Sequence, residues 1–434
     1  MQENELEINE VVVEDAPKKQ KKADTHFLVG FFGGMLVAII AIGLGILGSR
    51  LYRSYKINKA FDQVMALDPT VVSGNRELID SRLISKLGTI ENIFDKYYFD
   101  EYTTDDIEEG IYSGMVDALG DKYSTYYSAE EMKQLQQDSG GYYCGIGAYV
   151  SYDEENEICV FAGNIEGSPA EAAGIREGDM IYQVDGTDMQ GLTSDEVVTY
   201  IRGDEGTNVH IAVIRDGELV EFDITRARVD TQSVGYEMLD DNIGHIAIDE
   251  FDANTADQFT EALAILLDEG ARGMIIDVRS NLGGNFDVAC EIARYILPEG
   301  LITYTMDKYG LKNEFTCDGS NELKIPLVVL VNGHSASASE ILTGAVKDNN
   351  AGTIMGTKTY GKGIVQTVIP LKDGSAVKVT RYKYYTPSGV CIHGEGIEPD
   401  IVVEFDADAY YNDGVDNQLN AAVDEIHKQW ESSN

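Results

Sequence analysis

The sequence is short of positive charge, since 33 Lys and Arg residues face 75 Asp and Glu residues in a chain of 434, a formal net charge of −42. No basic cluster occurs beyond the first 60 residues. Nucleic acids are bound largely through Lys and Arg contacts to their phosphates, so this shortage excludes a nucleic-acid partner. Hydrophobic residues at 43% and charged residues at 25% are typical of a globular protein. The length indicates two or three domains.

Cysteine is also scarce. None of the five cysteines lies in a Cys-x-x-Cys pair, so the pattern predicts neither a thiolate metal site nor a disulfide framework. Most are expected to be buried thiols that pack as small apolar side chains. The five are Cys144, Cys159, Cys290, Cys317 and Cys391.

One long hydrophobic run is present near the N-terminus. Residues 27–48 are 22 positions without a charge, a length that as a helix matches a hydrocarbon layer of about 30 Å. The run lacks the Ala-x-Ala site of a cleaved signal peptide, so a retained single-pass anchor is the favoured interpretation. Basic residues flank both ends equally. A cytoplasmic tail at 1–26 and an extracytoplasmic remainder at the cell membrane are preferred, because short basic tails tend to stay inside.

Three patterns divide the rest of the chain. Helical spacing of apolar residues predicts a helical region over 58–135, and short β-rich runs predict a β-barrel module over 140–228 with one helix from Ser194 to Arg202. Continuous apolar strands then alternate with amphipathic helices, which predicts an α/β core over 229–405 with a buried, largely parallel sheet. Residues 406–434 are expected to be a C-terminal helical region.

A serine-rich turn follows the predicted buried strand that ends at Val331. Ser335, Ser337 and Ser339 open a helix there, where backbone N–H groups are free to hold an anion. A nucleophile and its oxyanion donors can be built together at such a turn. Taken alone, the pattern is equally typical of a plain helix cap.

A second turn places Lys362 between Gly361 and Gly363. Flanking glycines let the backbone approach closely, so the lysine can pack inward rather than point into solvent. Burial disfavours the ammonium form and so lowers a lysine pKa toward neutrality. Gln366, four residues later, is able to hydrogen-bond the amine without adding a charge. An exposed loop is the competing interpretation of an isolated Gly-Lys-Gly.

Taken together, these turns and others resemble the carboxy-terminal (tail-specific) processing proteases, which are serine proteases with a Ser-Lys dyad and an embedded PDZ domain. The resemblance covers about residues 75–430. It implies an α/β protease core with a helical N-terminal region and an inserted PDZ β-barrel, preceded here by the transmembrane helix. The matching stretches, in family order, are 276–284, 334–341, 361–366 and 384–400.

The family's spacing, in which the lysine follows the serine by 25 residues, selects one of the three serines. By resemblance, Ser337 is the nucleophile, Lys362 the general base and Gln366 the residue that orients the lysine. The resemblance also implies an oxyanion hole from the backbone N–H groups of Ala338 and of the pair Gly283 and Gly284. Leu282 stands where the family commonly has proline. Neither a metal nor an organic cofactor is implied.

Nearby polar residues have other interpretations. His334 would support Ser-His catalysis, since histidine is the commonest base, but a polar or capping role needs no special geometry. Asp277 and Arg279 end a strand and are expected to fix the glycine loop through a salt bridge.

The β-rich module carries Gly145, Ile146 and Gly147 ahead of an edge strand. Successive backbone N–H groups at such a loop capture a C-terminal carboxylate while the peptide adds as a strand. With the stretches 167–175 and 178–179 the module resembles a PDZ domain. Arg202 resembles a position through which family members relay peptide binding to the protease core, and a solvated arginine is an equal alternative.

The sequence therefore predicts a membrane-anchored serine endopeptidase that recognises protein C-termini. Two alternatives stay open, a non-catalytic PDZ scaffold and a hydrolase of another acyl substrate such as peptidoglycan. Helical segments at both ends of the soluble part offer surfaces for a homodimer. An empty PDZ domain is expected to block the active site and a bound tail to open it.

Overall fold

The computed structural model describes residues 79–154 and 156–432. The predicted tail at 1–26, the predicted anchor at 27–48 and residues 58–78 of the predicted helical region lie outside the described residues. Within the described ranges, none of the helices has both the length and the apolar character that crossing a membrane requires.

The chain divides into two compact units, Met1–Glu101 and Tyr102–Asn434. The described part of the first unit contains helix α1 (Ser81–Tyr97), where the Asp80 carboxylate caps the first turn by accepting from the Leu83 N–H at 2.8 Å. The helical spacing predicted for this segment is confirmed.

The second unit begins with helices α2 (Thr104–Asp117) and α3 (Ala129–Ser139), with the short strand β1 (Thr125–Tyr127) between them. Both helices start with a capping box, in which the N-cap hydroxyl and the carboxylate three residues later each accept a backbone N–H. The helices were expected from the sequence, whereas β1 was not.

A six-stranded antiparallel sheet and two short helices, α4 (Pro169–Ala173) and α5 (Ser194–Ile201), form the next module. Helix α5 begins at the predicted Ser194, and Thr193 caps it through a capping box with Glu196. The module was predicted as a β-barrel; among the described strands its sheet is open, with β3 and β8 at the edges and α5 packed beside β3. The strands are β3 (Ala148–Asp153), β4 (Ile158–Asn164), β5 (Met180–Val184), β6 (Thr187–Asp188), β7 (Asn208–Arg215) and β8 (Glu218–Thr225), with a separate pair, β2 (Tyr142–Gly145) and β9 (Ala227–Asp230), at the module's ends.

The α/β core is built on a second six-stranded sheet, which is parallel except for its first pair of strands. Helices α6 (Thr255–Asp268), α7 (Phe286–Ala293) and α8 (Ala338–Asp348) share a hydrophobic core with one face of this sheet. The predicted α/β arrangement is confirmed. The strands, in spatial order, are β10 (Val234–Leu239), β11 (Ile243–Ile248), β12 (Gly273–Asp277), β15 (Leu327–Val331), β16 (Thr353–Gly356) and β19 (Ile401–Val402).

The opposite face of the parallel sheet is covered by the C-terminal helix α10 (Asn417–Ser432), whose Ala422 and Ile426 pack on Ile275 and Val328. Helix α9 (Ala407–Asp413) precedes it. Layers on both faces explain why these strands are apolar throughout rather than alternating.

A third sheet stands beside the core and was not predicted as a sheet. It contains the antiparallel pair β13 (Glu299–Asp307) and β14 (Lys312–Asp318), and the hairpin β17 (Ile364–Pro370) and β18 (Ala376–Tyr385). Strand β1 pairs with the start of β18, so the N-terminal helical region contributes directly to this sheet.

Candidate active site

Ser337 lies between strand β15 and helix α8, at the N-cap of the helix. Its backbone has φ 55° and ψ −110°, a positive φ that non-glycine residues rarely adopt. Such strain costs on the order of 1–3 kcal/mol and persists where the surroundings force it, most often at functional sites. The turn therefore holds the Ser337 side chain in a position that a relaxed helix start would not give.

The three serines of this turn have different surroundings. The Ser335 hydroxyl donates to the Val278 carbonyl at 2.7 Å and the Ser339 hydroxyl to the Asn281 carbonyl at 3.0 Å. Both residues are fully buried. Ser337 is half-buried and lines a cleft of about 880 Å³. Ser335 and Ser339 therefore anchor the turn and leave Ser337 as the serine at the cleft.

Glu340 links this turn to the turn that carries Lys362, and the sequence analysis did not single it out. Its carboxylate is fully buried and accepts the backbone N–H of Ser337 at 2.9 Å and of Lys362 at 2.8 Å. It also accepts the Gly361 N–H at 2.7 Å and the Thr359 hydroxyl at 2.6 Å. One side chain thereby fixes the separation of the two turns. A capping-box glutamate in the sequence is the signal that could have found it.

Lys362 is half-buried and lines the same cleft as Ser337. Burial, followed by the nearby positive charge of Lys378, lowers the pKa of Lys362 below its usual value. In the part of the chain that the structure describes, no hydrogen bond of 3.5 Å or less joins its amine to the Ser337 hydroxyl. The two groups thus line one cleft without a hydrogen bond between them.

Gln366 lies on β17, on the side of the cleft where Lys362 lies. Its amide nitrogen donates to the Thr380 hydroxyl at 3.2 Å on the neighbouring strand, rather than contacting the Lys362 amine. In this state the side chain therefore ties the hairpin together.

The glycine pair approaches the serine turn very closely. A side chain on Gly283 would come within 2.7 Å of both the Ala336 carbonyl oxygen and the Ser337 Cβ, so only glycine fits there. The Gly283 N–H already donates to the Asn281 side chain at 2.8 Å. Within the described residues, the N–H groups of Gly284 and Ala338 have no hydrogen-bond partner. These two donors, rather than Gly283, are the ones left to bind an oxyanion.

The strand that leads to this glycine loop ends in a buried ion pair. Arg279 bonds Asp277 at 2.6 Å, as expected, and also reaches Asp416 at 2.8 Å beside the C-terminal helix. Burial alone would raise the pKa of the Asp277 carboxyl, but the His245 ring 3.6 Å away and the hydrogen bonds from Arg279 outweigh it and lower that pKa. The loop is therefore tied to the C-terminal region.

Histidine, cysteine and metal chemistry find little support at this cleft. His334 is exposed and does not line the cleft that contains Ser337. The five cysteines are free thiols, and burial raises the pKa of Cys290 to about 12. Across residues 79–154 and 156–432, no cluster of three or more His, Cys, Asp or Glu side chains could hold a metal ion.

A second groove, of about 720 Å³, lies in the sheet module and contains the predicted loop Gly145, Ile146 and Gly147. It runs between the edge strand β3 and helix α5. Gly147 has φ +73° and a side chain there would meet Ser168 at 2.5 Å. Val234 and Glu261 of the α/β core also line this groove, so it lies at the junction of module and core.

Arg202 caps the C-terminal end of α5 and lines the same groove. Its guanidinium lies 4.7 Å from the centre of the Tyr143 ring. It also lines a smaller cavity with Glu250 and Asp252 of the core. Arg202 therefore lines both the groove and the smaller cavity between the sheet module and the α/β core.

Comparison with known sequences assigns both parts of the second unit. Residues 242–403 match the peptidase family S41, and residues 161–215 match a PDZ domain. The fold and the cleft thus define a peptidase core that carries a PDZ domain.

Individual relatives narrow this class. A carboxyl-terminal-processing protease of Synechocystis sp. (strain ATCC 27184 / PCC 6803 / Kazusa) is 38% identical over 67% of this chain and 69% of its own length. A probable CtpA-like serine protease of Staphylococcus aureus (strain N315) is 35% identical over 75% of this chain, and the match spans 66% of that relative. The chain belongs to peptidase family S41, among its carboxyl-terminal processing proteases, which confirms the resemblance found in the sequence.

Two solved structures are also similar to this chain, both at TM-scores below 0.5. The chain is similar to the photosystem II D1 C-terminal processing protease, with 30% identity over 74% of this chain and 87% of that one, at a TM-score of 0.44. A putative S41 protease from Bacteroides fragilis NCTC 9343 covers 76% of this chain at 16% identity and a TM-score of 0.46.

Proposed function

We propose that this protein is a serine endopeptidase that binds the C-terminal tail of a protein in its PDZ groove and cleaves peptide bonds with Ser337 and Lys362. The observation that carries the proposal is the buried Glu340 carboxylate, which fixes the backbone of both residues at one cleft. A non-catalytic scaffold would not need a strained serine and a buried lysine joined in this way.

The proposed reaction begins with Lys362 in its neutral form, which its lowered pKa favours. The amine takes the proton of the Ser337 hydroxyl while the oxygen attacks the carbonyl carbon of the substrate. The resulting ammonium then protonates the departing amine, and the C–N bond breaks. Water, deprotonated by Lys362, hydrolyses the acyl-enzyme. For this transfer the amine has to come within hydrogen-bond distance of the Ser337 hydroxyl.

The negative oxygen of the tetrahedral intermediate would lie between the N–H groups of Gly284 and Ala338. Both groups are unpartnered in the described residues. Loss of one such donor typically costs about 10²–10³ in rate. Gln366 would turn from Thr380 toward the Lys362 amine when the cleft is occupied, in the orienting role that the resemblance implies.

Substrate recognition would occur at the second groove. The N–H groups at Ile146 and Gly147 would bind the terminal carboxylate, and the tail would add as a strand to the free edge of β3. The Arg202 side chain, which lines both the groove and the junction, would report tail binding to the core.

The proposal includes a membrane anchor at residues 27–48, with the peptidase on the extracytoplasmic side of the cell membrane. Its support is the length of the uncharged segment, 22 residues. The homodimer stays a prediction from the helical segments.

The test uses the full-length chain and two quenched fluorescent peptides that differ only in a free or an amidated C-terminus. Ser337→Ala and Lys362→Ala should each abolish cleavage, since removing the nucleophile or base of a serine protease costs on the order of 10⁶ in rate. The free-carboxylate peptide should be cleaved with the lower KM.

Two exposed residues provide matched controls. Ser320→Ala and Lys372→Ala, both at exposed turns, should leave the rate unchanged. Cleavage of peptidoglycan fragments in preference to peptides would reassign the substrate, and cleavage that survives Lys362→Ala would overturn the dyad.

A further inference from the structure

The segment Asp121–Tyr127, which joins α2 to α3, is docked on the hairpin that carries the catalytic lysine. Ser124 is buried, donates to Asp121 at 2.6 Å and accepts the Thr380 N–H of β18 at 3.1 Å. Strand β1 within the segment pairs with residues 376–378 of β18. These contacts hold the segment firmly against the β17–β18 hairpin.

Within this segment, Tyr123 lies against Lys362. The centre of the Tyr123 ring is 5.0 Å from the Lys362 amine. Tyr123 is half-buried and is not among the side chains that line the cleft with Ser337. The ring therefore covers the amine away from the cleft, where a substrate would not touch it.

An aromatic ring beside a lysine has two opposite effects. Its bulk excludes water and so disfavours the ammonium, whereas its π face attracts a cation. The charged and titratable groups that act on Lys362 here are Lys122 of the same segment, Tyr360 of the preceding turn, Lys378 of β18 and Glu340 of α8. Burial is the largest influence on the pKa of Lys362, and the net direction is downward. The Tyr123 ring occupies space beside the amine that water would otherwise fill, so it contributes to this burial.

We propose that Tyr123 is a positioning residue, which keeps water away from the Lys362 amine so that the amine is neutral when it takes the proton of Ser337. This inference rests on the proposed function of Lys362 and extends it. It assigns a role in the reaction to a segment of the N-terminal helical region.

The experiment measures kcat/KM against pH for the full-length chain with the free-carboxylate peptide. Tyr123→Ala should admit water and so raise the pKa of Lys362. The acidic limb of the pH profile, where kcat/KM rises as Lys362 loses its proton, should then move to higher pH. Activity should fall about three- to tenfold at neutral pH and recover in alkaline buffer. Tyr123→Phe keeps the ring and should leave the limb in place. Tyr123→Leu keeps an apolar cover without the π face, so its limb should lie at or below the wild-type pH.

Tyr97→Ala is a matched control, because the exposed Tyr97 ring lies 5.1 Å from the Lys96 amine on α1 rather than near Lys362. It should leave the acidic limb in place. If Tyr123→Ala does not fold, as judged by thermal unfolding, Tyr123→Gln replaces it and should shift the limb in the same direction.

Two results would overturn the inference. One is a Tyr123→Ala rate that falls by the same factor at every pH, which indicates a structural role alone. The other is a Tyr123→Leu limb that moves up as far as that of Tyr123→Ala. Activity that survives Lys362→Ala would instead reject the proposed function itself, so the two failures are distinguishable.

Discussion

Each of the two grooves contains a cation near a tyrosine ring and beside glycine-bearing backbone. Arg202 lies 4.7 Å from the Tyr143 ring in the PDZ groove, and Lys362 lies 5.0 Å from the Tyr123 ring at the peptidase cleft. Arginine stays protonated in proteins, whereas lysine loses its proton readily when buried. The same local arrangement therefore suits a permanent charge in one groove and a reversible proton carrier in the other.

The two grooves also differ in which residues have a positive backbone φ. In the PDZ groove the positive φ falls on a glycine, Gly147, which adopts it at little cost. In the peptidase cleft a positive φ falls on Ser337 as well as on Gly284, and the strain at Ser337 is held in place by the buried Glu340. The proposed binding groove thus uses relaxed backbone at this position, whereas the proposed catalytic cleft contains a strained, non-glycine residue.

The largest effect on activity is expected when each groove receives the basic residue of the other, as in Lys362→Arg and Arg202→Lys. Lys362→Arg keeps the positive charge and most of the side-chain length but cannot supply a neutral base, so it should be as inactive as Lys362→Ala, about 10⁴-fold or more below wild type. The reciprocal Arg202→Lys keeps a cation near Tyr143 and should change KM for the free-carboxylate peptide by less than about tenfold. Steady-state kinetics measure both.

Lys362→Arg activity near the wild-type level would contradict the comparison, because cleavage would then not require a neutral base at position 362. A loss of kcat in Arg202→Lys as large as that of Lys362→Arg would also contradict it.

Glu340→Gln tests the constraint on the cleft. The amide group can no longer accept all four hydrogen bonds, so at least one of the N–H groups of Ser337, Gly361 and Lys362 loses its acceptor. We expect kcat to fall about 10²–10³-fold and the free energy of unfolding to fall by about 1–3 kcal/mol. Peptide cleavage and urea unfolding provide the measurements.

Glu131→Gln is the matched control, because Glu131 makes the same capping-box contact with Ser128 on exposed surface. It should cost no more than about 1 kcal/mol of stability and leave kcat unchanged. Equal effects of the two substitutions on kcat would show that Glu340 merely caps a helix.

Much of the fold could be predicted from the sequence because local pattern and burial agree. The helix predicted from Ser194 to Arg202 is observed at Ser194–Ile201, and the buried strand predicted to end at Val331 is observed at Leu327–Val331. Strands β13 and β14 were missed. They pair with each other across a short turn, but their sheet is completed through β18, which comes from a distant segment, so part of what fixes them is absent from their local sequence.

The candidate site shows the same limit. The turns around Ser337 and Lys362 have local signatures, and the spacing of the resembled family then selected Ser337 among the three serines. The Glu340 contacts with residues 359–362 and the Tyr123 contact with Lys362 link positions about 20 and 240 residues apart. Such contacts depend on tertiary structure, and a glutamate three residues after an N-cap is equally typical of an ordinary capping box.

The smallest expected effect is that of the Lys378 charge on the pKa of Lys362. Its amine donates to the Tyr127 hydroxyl at 2.5 Å, and its charge is the second cause, after burial, of the lowered pKa of Lys362. Lys378→Met removes the charge and keeps the length of the side chain. The Lys362 pKa should then rise, moving the acidic limb of kcat/KM to higher pH and lowering activity about two- to threefold at neutral pH.

This charge effect should weaken with salt, because ionic screening shortens the reach of one charge on another. The difference between Lys378→Met and wild type should therefore shrink between 20 mM and 500 mM salt, whereas the Tyr123→Ala shift, which comes from admitted water, should persist. Lys372→Met at the exposed tip of the same hairpin should leave the limb in place. A Lys378→Met shift that is insensitive to salt would assign the effect of Lys378 to packing, and the low pKa of Lys362 would then depend on burial alone.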